Sequence, residues 1–345
     1  MRNHALAALL GITALMGCNL LGKKGDGDAG PGAPSSASTG TASPTASAQA
    51  PAPAAKSATL AQPKDERAWG VAVDAANVYW SSNKSGAAGI RRAPRGGGPA
   101  VMLCKINDML QAPEELFVDD KHVYTLAPAL GPSAVYRGPK DGAGAPCEKV
   151  VEGVGLLQRG ITKVGDTVFV AGTKKKGATI MAVDPAGKSK VVLEWGKPID
   201  GLASDGKDLF FASVESLIDR RLMKVAPTGG TPAEVGKTGG HLTYASGRLY
   251  FIGAGLQSVP PTGGEPTTHK GPMGSLSGLA VVGESIFVGG SAGIQIDNKG
   301  SVWRSTTNGS PLVEIAPVPG RVTSLAADAK DVYVVADGGV FRIAL

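Results

Sequence analysis

Residues 69–98 read WGVAVDAANVYWSSNKSGAAGIRRAPRGGG, and the order of residue types in this stretch decides the fold. An aliphatic segment around Val71 is followed by the polar turn Asp74-Ala75-Ala76-Asn77. A second apolar segment, Val78-Tyr79-Trp80, leads to a glycine-containing loop, and a third segment from Ile90 ends in Pro94 and three glycines. Short runs rich in β-branched and aromatic residues, punctuated by Gly, Pro, Asn and Asp, read as strands joined by tight turns.

The same order recurs to the end of the chain. An aliphatic residue precedes an aromatic at Val78-Tyr79, Val123-Tyr124, Val168-Phe169, Leu209-Phe210, Leu249-Tyr250, Ile286-Phe287 and Val332-Tyr333, with successive aromatics 37 to 46 residues apart. Eight positions before each aromatic stands Val71, Leu116, Ile161, Leu202, Leu242, Leu279 or Leu325. Turns written DAAN, DDKH, SDGK and DAKD separate several of these pairs, and Pro with paired Gly closes a third element in IRRAPRGGGP, LMKVAPTGGTP and LQSVPPTGGEP. Each unit therefore holds four short strands. A four-stranded unit repeated at this period is the blade of a β-propeller. Seven copies predict seven blades, with a six-bladed ring as the alternative.

Residues recurring in strict register read as structural. The aromatic column is expected to pack blade against blade, and Asp74, Asp119, Asp205 and Asp328 to cap backbone amides in their turns. The seventh copy supplies three strands and then ends at Leu345. The strand-like Ser57–Gln62 stretch, SATLAQ, is expected to complete it as a fourth strand and so close the ring. The propeller then occupies 57–345.

The stretch 77–98 resembles the YWTD repeats of lipoprotein-receptor propellers and the related repeats of bacterial secreted proteins. Tyr79-Trp80 reproduces the leading aromatic pair, whereas Ser81 and Ser82 replace the Thr and Asp. That resemblance implies a propeller and specifies no ligand.

The N-terminus carries an address. Arg2 precedes an apolar run, Ala5 to Met16, too short for a comfortable membrane span. The run ends at Leu15-Met16-Gly17-Cys18, which resembles the lipobox of bacterial lipoproteins. It implies a signal peptide over 1–17 and acylation of Cys18. Residues 18–56, rich in Ala, Pro, Ser and Gly, have too little apolar surface to fold and are expected to form a tether. Asn19 after the cysteine resembles the outer-membrane sorting pattern, so the expected location is the cell envelope, lipid-anchored.

Of the three cysteines, Cys104 and Cys147 remain for a disulfide or for two separate thiols. A net charge of +6 with no concentrated basic stripe argues against a nucleic-acid partner. Motifs for a nucleophile elbow, a zinc site or a phosphate loop are missing from the sequence, and no catalytic residue, metal or cofactor is assigned.

Candidate binding residues come from the starts of the inner strands, where the repeat is irregular. Trp69, Glu114, Glu115, Arg159, Asp200 and His241 are expected around the channel mouth as a polar ligand pocket. Lys84, Lys174-Lys175-Lys176, Arg220-Arg221 and Lys299 stand in outer loops as a candidate steering surface for an anionic partner. The expected function is a non-catalytic module binding an envelope protein or polysaccharide. The alternatives are a hydrolase or lyase with its site at the channel mouth, and a passive assembly scaffold.

Overall fold

The seven repeat units fold as seven sheets, each built from four antiparallel strands. The computed structural model describes residues 57–61, 66–83, 88–106, 115–127, 133–154, 160–173, 177–216, 218–271, 274–292 and 299–345. The leader, Cys18 and the tether expected over 18–56 lie outside the described residues. Among the described residues every regular element is a strand.

Blade 1 runs outward from the axis as Arg67–Val73, Asn77–Asn83, Gly89–Pro94 and Val101–Lys105. The inner strands of blades 2 to 7 are Glu115–Val118, Ile161–Val164, Ile199–Ser204, Gly240–Ala245, Gly274–Val282 and Val322–Ala327. Each inner strand touches the next in chain order, and that of blade 7 returns to that of blade 1. The protein is a seven-bladed β-propeller. Ser57–Ala61 pairs antiparallel with Gly339–Ala344 as the outermost strand of blade 7, so a strand from before blade 1 closes the ring.

The core is divided among the blade interfaces. Each interface holds one aromatic of the repeating column, contributed by the preceding blade. Tyr79 packs between blades 1 and 2, Tyr124 between 2 and 3, and Phe169 between 3 and 4. Phe210, Tyr250, Phe287 and Tyr333 continue the series around to blade 1. All seven are buried. Burying an aromatic of this size stabilises by roughly 1.5–3 kcal/mol, so the column is a principal source of cohesion between blades that share no hydrogen-bonded ladder.

The recurrent aspartates hold the turns on the opposite face. Asp74 Oδ1 accepts from the amides of Ala76 and Asn77 at 2.9 and 2.8 Å, and Asp119, Asp205 and Asp328 make the same pair of contacts two and three residues on. The tyrosines of the aromatic column reach these turns. Tyr79 donates to Asp74 at 2.9 Å, Tyr124 bonds Asp119, and Tyr333 donates to Asp331 at 3.3 Å. Burial would raise the Asp74 carboxyl, but the Lys140 ammonium and the two turn amides outweigh it and hold the pKa at about 2. Cations also cross between blades here. Lys140 of blade 2 reaches Asp74 of blade 1 at 2.6 Å. Arg95 of blade 1 pairs with Asp328 and lies 3.6 Å from the buried Asp331, both in blade 7. The closing seam is thus tied on this face by ion pairs and at its rim by the added strand.

Cys104 and Cys147 form a disulfide that links the outer strand of blade 1 to the segment leading into the outer strand of blade 2. Beside it, Ala145–Pro146 runs parallel to Cys104-Lys105 as a short fifth strand of blade 1. Gly138 is required at this joint, because a Cβ there would stand 2.4 Å from the Cys104 sulfur.

Blade 5 departs from the pattern. Its turn, Ser246-Gly247, lacks the repeating aspartate, as do those of blades 3 and 6, and here the buried Tyr250 hydroxyl has no hydrogen-bond partner among the described residues. Next to it His269, only 2% exposed, spans blades 5 and 6 between the Ser258 hydroxyl at 3.4 Å and the Ser305 hydroxyl at 3.1 Å. Burial, then the nearby Arg248 guanidinium, lowers the His269 pKa, so the folded protein keeps the ring neutral to lower pH than a free imidazole. Unfolding releases the imidazole to take up a proton once pH falls below its free value of about 6.5. Stability is therefore undiminished by this residue above that pH and falls as the solution is acidified. His122, lowered by burial and by Arg137, adds to the same trend. We expect the melting temperature to drop between pH 7 and 5 and His269→Gln to flatten the drop. A parallel pH profile in the variant would show that this histidine contributes nothing to it.

Candidate functional site

The inner strands converge on a channel holding a cavity of about 400 Å³. All seven residues of the aliphatic column, from Val71 to Leu325, line it, forming an apolar belt around the axis. In blades 1, 4, 5, 6 and 7 the inner strand carries a register irregularity just before this belt. The extra residue of such a bulge bends the strand and re-aims the side chains at its start.

The residue immediately before the belt faces the next blade, and this decides its identity. A Cβ on Gly160 would lie 2.7 Å from the Leu202 side chain, and one on Gly201 would lie 3.0 Å from the Leu242 nitrogen. A polar side chain at this position can instead bond the neighbour's backbone. Glu115 of blade 2 accepts from the amides of Gly160 and Ile161 of blade 3, at 2.7 and 3.2 Å. Ser324 of blade 7 accepts from the amide of Val71 of blade 1 at 3.1 Å. One residue earlier, Thr323 donates to the Trp69 carbonyl at 3.0 Å and Ser277 to the Val322 carbonyl at 2.7 Å. Much of the polar lining of the channel thus fastens one blade to the next.

In blade 5 this position is His241. Its φ is +52°, in the left-handed region, where Gly201 of blade 4 has φ +106°. A non-glycine residue there costs on the order of 1–3 kcal/mol and persists only where the surroundings impose it. His241 also lies at a junction. A second cavity, a groove of about 910 Å³ between blades 4 and 5, is lined by Asp200, Ile218, Arg220, Arg221, Glu234 and His241, among others. Among the described residues His241 lines both the channel and this groove.

The expected ring of binding residues is therefore divided. Glu115 lines the channel, but its carboxylate is bound to blade 3. Asp200 lines the groove, lies against Gly240 and accepts from Arg220 Nε at 2.9 Å. Trp69 lines neither cavity and stacks under the Arg67 guanidinium at 5.8 Å. Glu114 and Arg159 lie outside the described residues. Of the loop cations, Lys84 and Lys174 to Lys176 also fall outside them. Arg220 and Arg221 are neutralised by Asp200 and Glu234, at 2.9 and 2.6 Å, which weakens their reading as a surface for anions. No group of three or more His, Cys, Asp or Glu side chains is placed to hold a metal among the described residues.

The groove also holds an apolar residue that sequence reasoning missed. Ile218 stands at the tip of the hairpin between the second and third strands of blade 4 and is 96% exposed. The signal for it is SLIDRR, residues 216–221, two aliphatics in a turn that otherwise calls for polar residues.

No protein-family model and no curated protein matches this sequence. Solved structures do. The chain is similar to a puromycin-hydrolyzing peptidase of Mycobacterium tuberculosis, with a TM-score of 0.62 and 13% identity over 81% of this chain. It spans 51% of the length of that peptidase. The WD40 propeller domain of Doa1 aligns with a TM-score of 0.61 and 12% identity, covering 84% of this chain and 96% of that one. A computationally designed protein, Ika8, aligns at 0.53 with 13% identity, covering 83% and 98%. At these identities the likeness establishes the fold alone.

Proposed function

We propose that this protein is a non-catalytic binding module of the cell envelope, a propeller displayed on a lipidated Cys18 and engaging a protein or glycan partner through its channel-mouth face. The observation that carries this reading is the groove between blades 4 and 5. It opens beside the channel at the strained His241, and it presents an exposed Ile218 among charged side chains. The channel carboxylate Glu115, by contrast, is occupied with two backbone amides, a structural task that leaves it poorly suited to acid–base work. Anchoring rests on the resemblance of Leu15 to Cys18 to a lipobox and on the Ala-, Pro- and Ser-rich stretch that follows. A single acyl chain binds membranes only marginally, so stable anchoring calls for more than one.

Expression in a bacterial host with an alkyne fatty acid tests the anchor. The parent chain is expected to take up the label and to fractionate with membranes, and Cys18→Ser to lose both properties. Label retained by the serine variant, or a parent protein recovered wholly in the soluble fraction, would remove the lipoprotein reading. Crosslinking on intact membranes then reads out the partner.

A further inference from the structure

We propose that the groove between blades 4 and 5 binds an extended peptide segment of a protein partner, with an aliphatic side chain of that segment packed on Ile218 and its main chain led past His241. This proposal rests on the binding-module reading and narrows its partner to a peptide.

Four observations carry it. Ile218 lies beside a set of hydrogen bonds that tie the two sides of its hairpin together. Asp219 accepts through its carbonyl from the amides of Glu215 and Ser216, at 3.0 and 3.1 Å, and its own amide donates to the Ser216 hydroxyl at 3.1 Å. An isoleucine 96% exposed at the rim of a groove has the form of an anchor for an apolar pocket or side chain on a partner. Most of the groove's charge is internally paired, Asp200 with Arg220 and Arg221 with Asp219 and Glu234, and Lys237 and Glu265 on its wall are of opposite sign. A polar rim of offset charges around an apolar anchor is the anatomy of a protein interface. It gives a polyanion or an anionic lipid surface little to hold.

The floor is backbone. A Cβ on Gly239 would lie 2.1 Å from the Ile252 carbonyl oxygen, and one on Gly240 would lie 2.8 Å from the Asp200 carboxylate. The chain's own packing admits no side chain at these positions, so this part of the groove floor stays main chain. The outermost strand of blade 4, Ala233–Lys237, contributes Glu234, Gly236 and Lys237 to the wall and, among the described residues, pairs on one side only, with Arg220–Val225. An unpaired strand edge beside a groove suits main-chain recognition of an extended peptide. A saccharide would want an exposed aromatic face. Among the described residues Phe251 is the one Phe, Tyr or Trp lining the groove, and at 1% exposed it belongs to the core.

The fourth observation is His241. Its left-handed backbone is costlier than the glycine that blade 4 uses at the same place, and it sets a titratable ring where the groove meets the channel. Blade 4 fills the same place with Gly201, so blade 5 alone of the two sets a side chain at this junction, in the path of a bound segment.

The test is to pan a phage-displayed library of random peptides against the immobilised full-length protein in detergent, and to measure the selected peptides by fluorescence anisotropy. Enriched peptides are expected to share an aliphatic residue and to bind Ile218→Asp about tenfold or more weakly. His241→Gly, which keeps a left-handed backbone that glycine adopts readily, is expected to weaken them too. Val313→Asp, at an exposed site on blade 6, should leave binding unchanged. A library that yields no enrichment, or peptides that bind the Ile218 and His241 variants as they bind the parent, would overturn the proposal. Binding of N-acetylglucosamine tetramers that is lost in Ile218→Asp would overturn it in favour of a glycan. Crosslinking to an envelope partner that survives both variants would leave the binding-module reading standing and place its interface elsewhere.

Discussion

Replacing Cys104 and Cys147 together by serine is expected to lower the stability of the propeller by about 4 kcal/mol, the amount that chain entropy assigns to a loop of this size. The two cysteines are 43 residues apart, and the bridge joins neighbouring blades. Without it the unfolded chain regains the freedom of that loop. The folded chain also loses the covalent support for the short parallel strand Ala145–Pro146 along the edge of blade 1. For a domain of this length the loss corresponds to a fall in melting temperature of roughly 6–7 °C. Calorimetry on the parent and the double variant, each with and without reductant, isolates the effect. Reductant should bring the parent down to the variant and leave the variant unmoved. An unchanged melting temperature in the double variant would mean that the ring is held by its interfaces alone.

A chain beginning at residue 66, and so lacking the closing strand, is expected to lose cooperative folding or to associate through the edge it exposes. Ser57–Ala61 pairs with Ile343, Arg342, Phe341 and Val340. Leu60 packs into the core between blades 7 and 1. Val340 and Ile343 are fully buried, and uncovering large apolar side chains costs roughly 1.5–3 kcal/mol each. The bared edge of Gly339–Ala344 also offers a row of unpaired backbone groups to another molecule. Light scattering after size exclusion, with limited proteolysis, checks both outcomes. Addition of a peptide spanning 57–62 should restore the monomer. A truncated chain that stays monomeric and melts like the parent would show that the ring closes through its inner strands and ion pairs without the fourth strand of blade 7.

These two experiments probe features of different legibility. The closing strand is legible in the sequence, because the seventh copy of the repeat stops one strand short and a strand-like segment precedes the first. The disulfide is not. Its two cysteines fall in different repeats, and whether their α-carbons approach to 4.9 Å depends on how blades 1 and 2 pack at their rims.

What the sequence determined by itself is whatever repeats. The number of blades, the aliphatic belt, the aromatic at each interface and the aspartate turns are each written several times in register, the belt and the aromatics in every blade. Each follows from local alternation and turn chemistry acting within one blade. What only the tertiary structure decided is whatever passes between blades. Glu115 reads as a free carboxylate until the amides of Gly160 and Ile161, 45 and 46 residues on, are brought against it. Likewise Arg220 and Arg221 read as exposed cations until the chain sets Asp200 and Glu234 beside them. His241 looks like one more irregular residue until its backbone angle and its place between two cavities are known. The physical reason is one of direction. Hydrogen bonds along a sheet obey the period of the sequence, whereas contacts around the ring join side chains about one repeat apart, and their partners depend on blade spacing that no single repeat encodes.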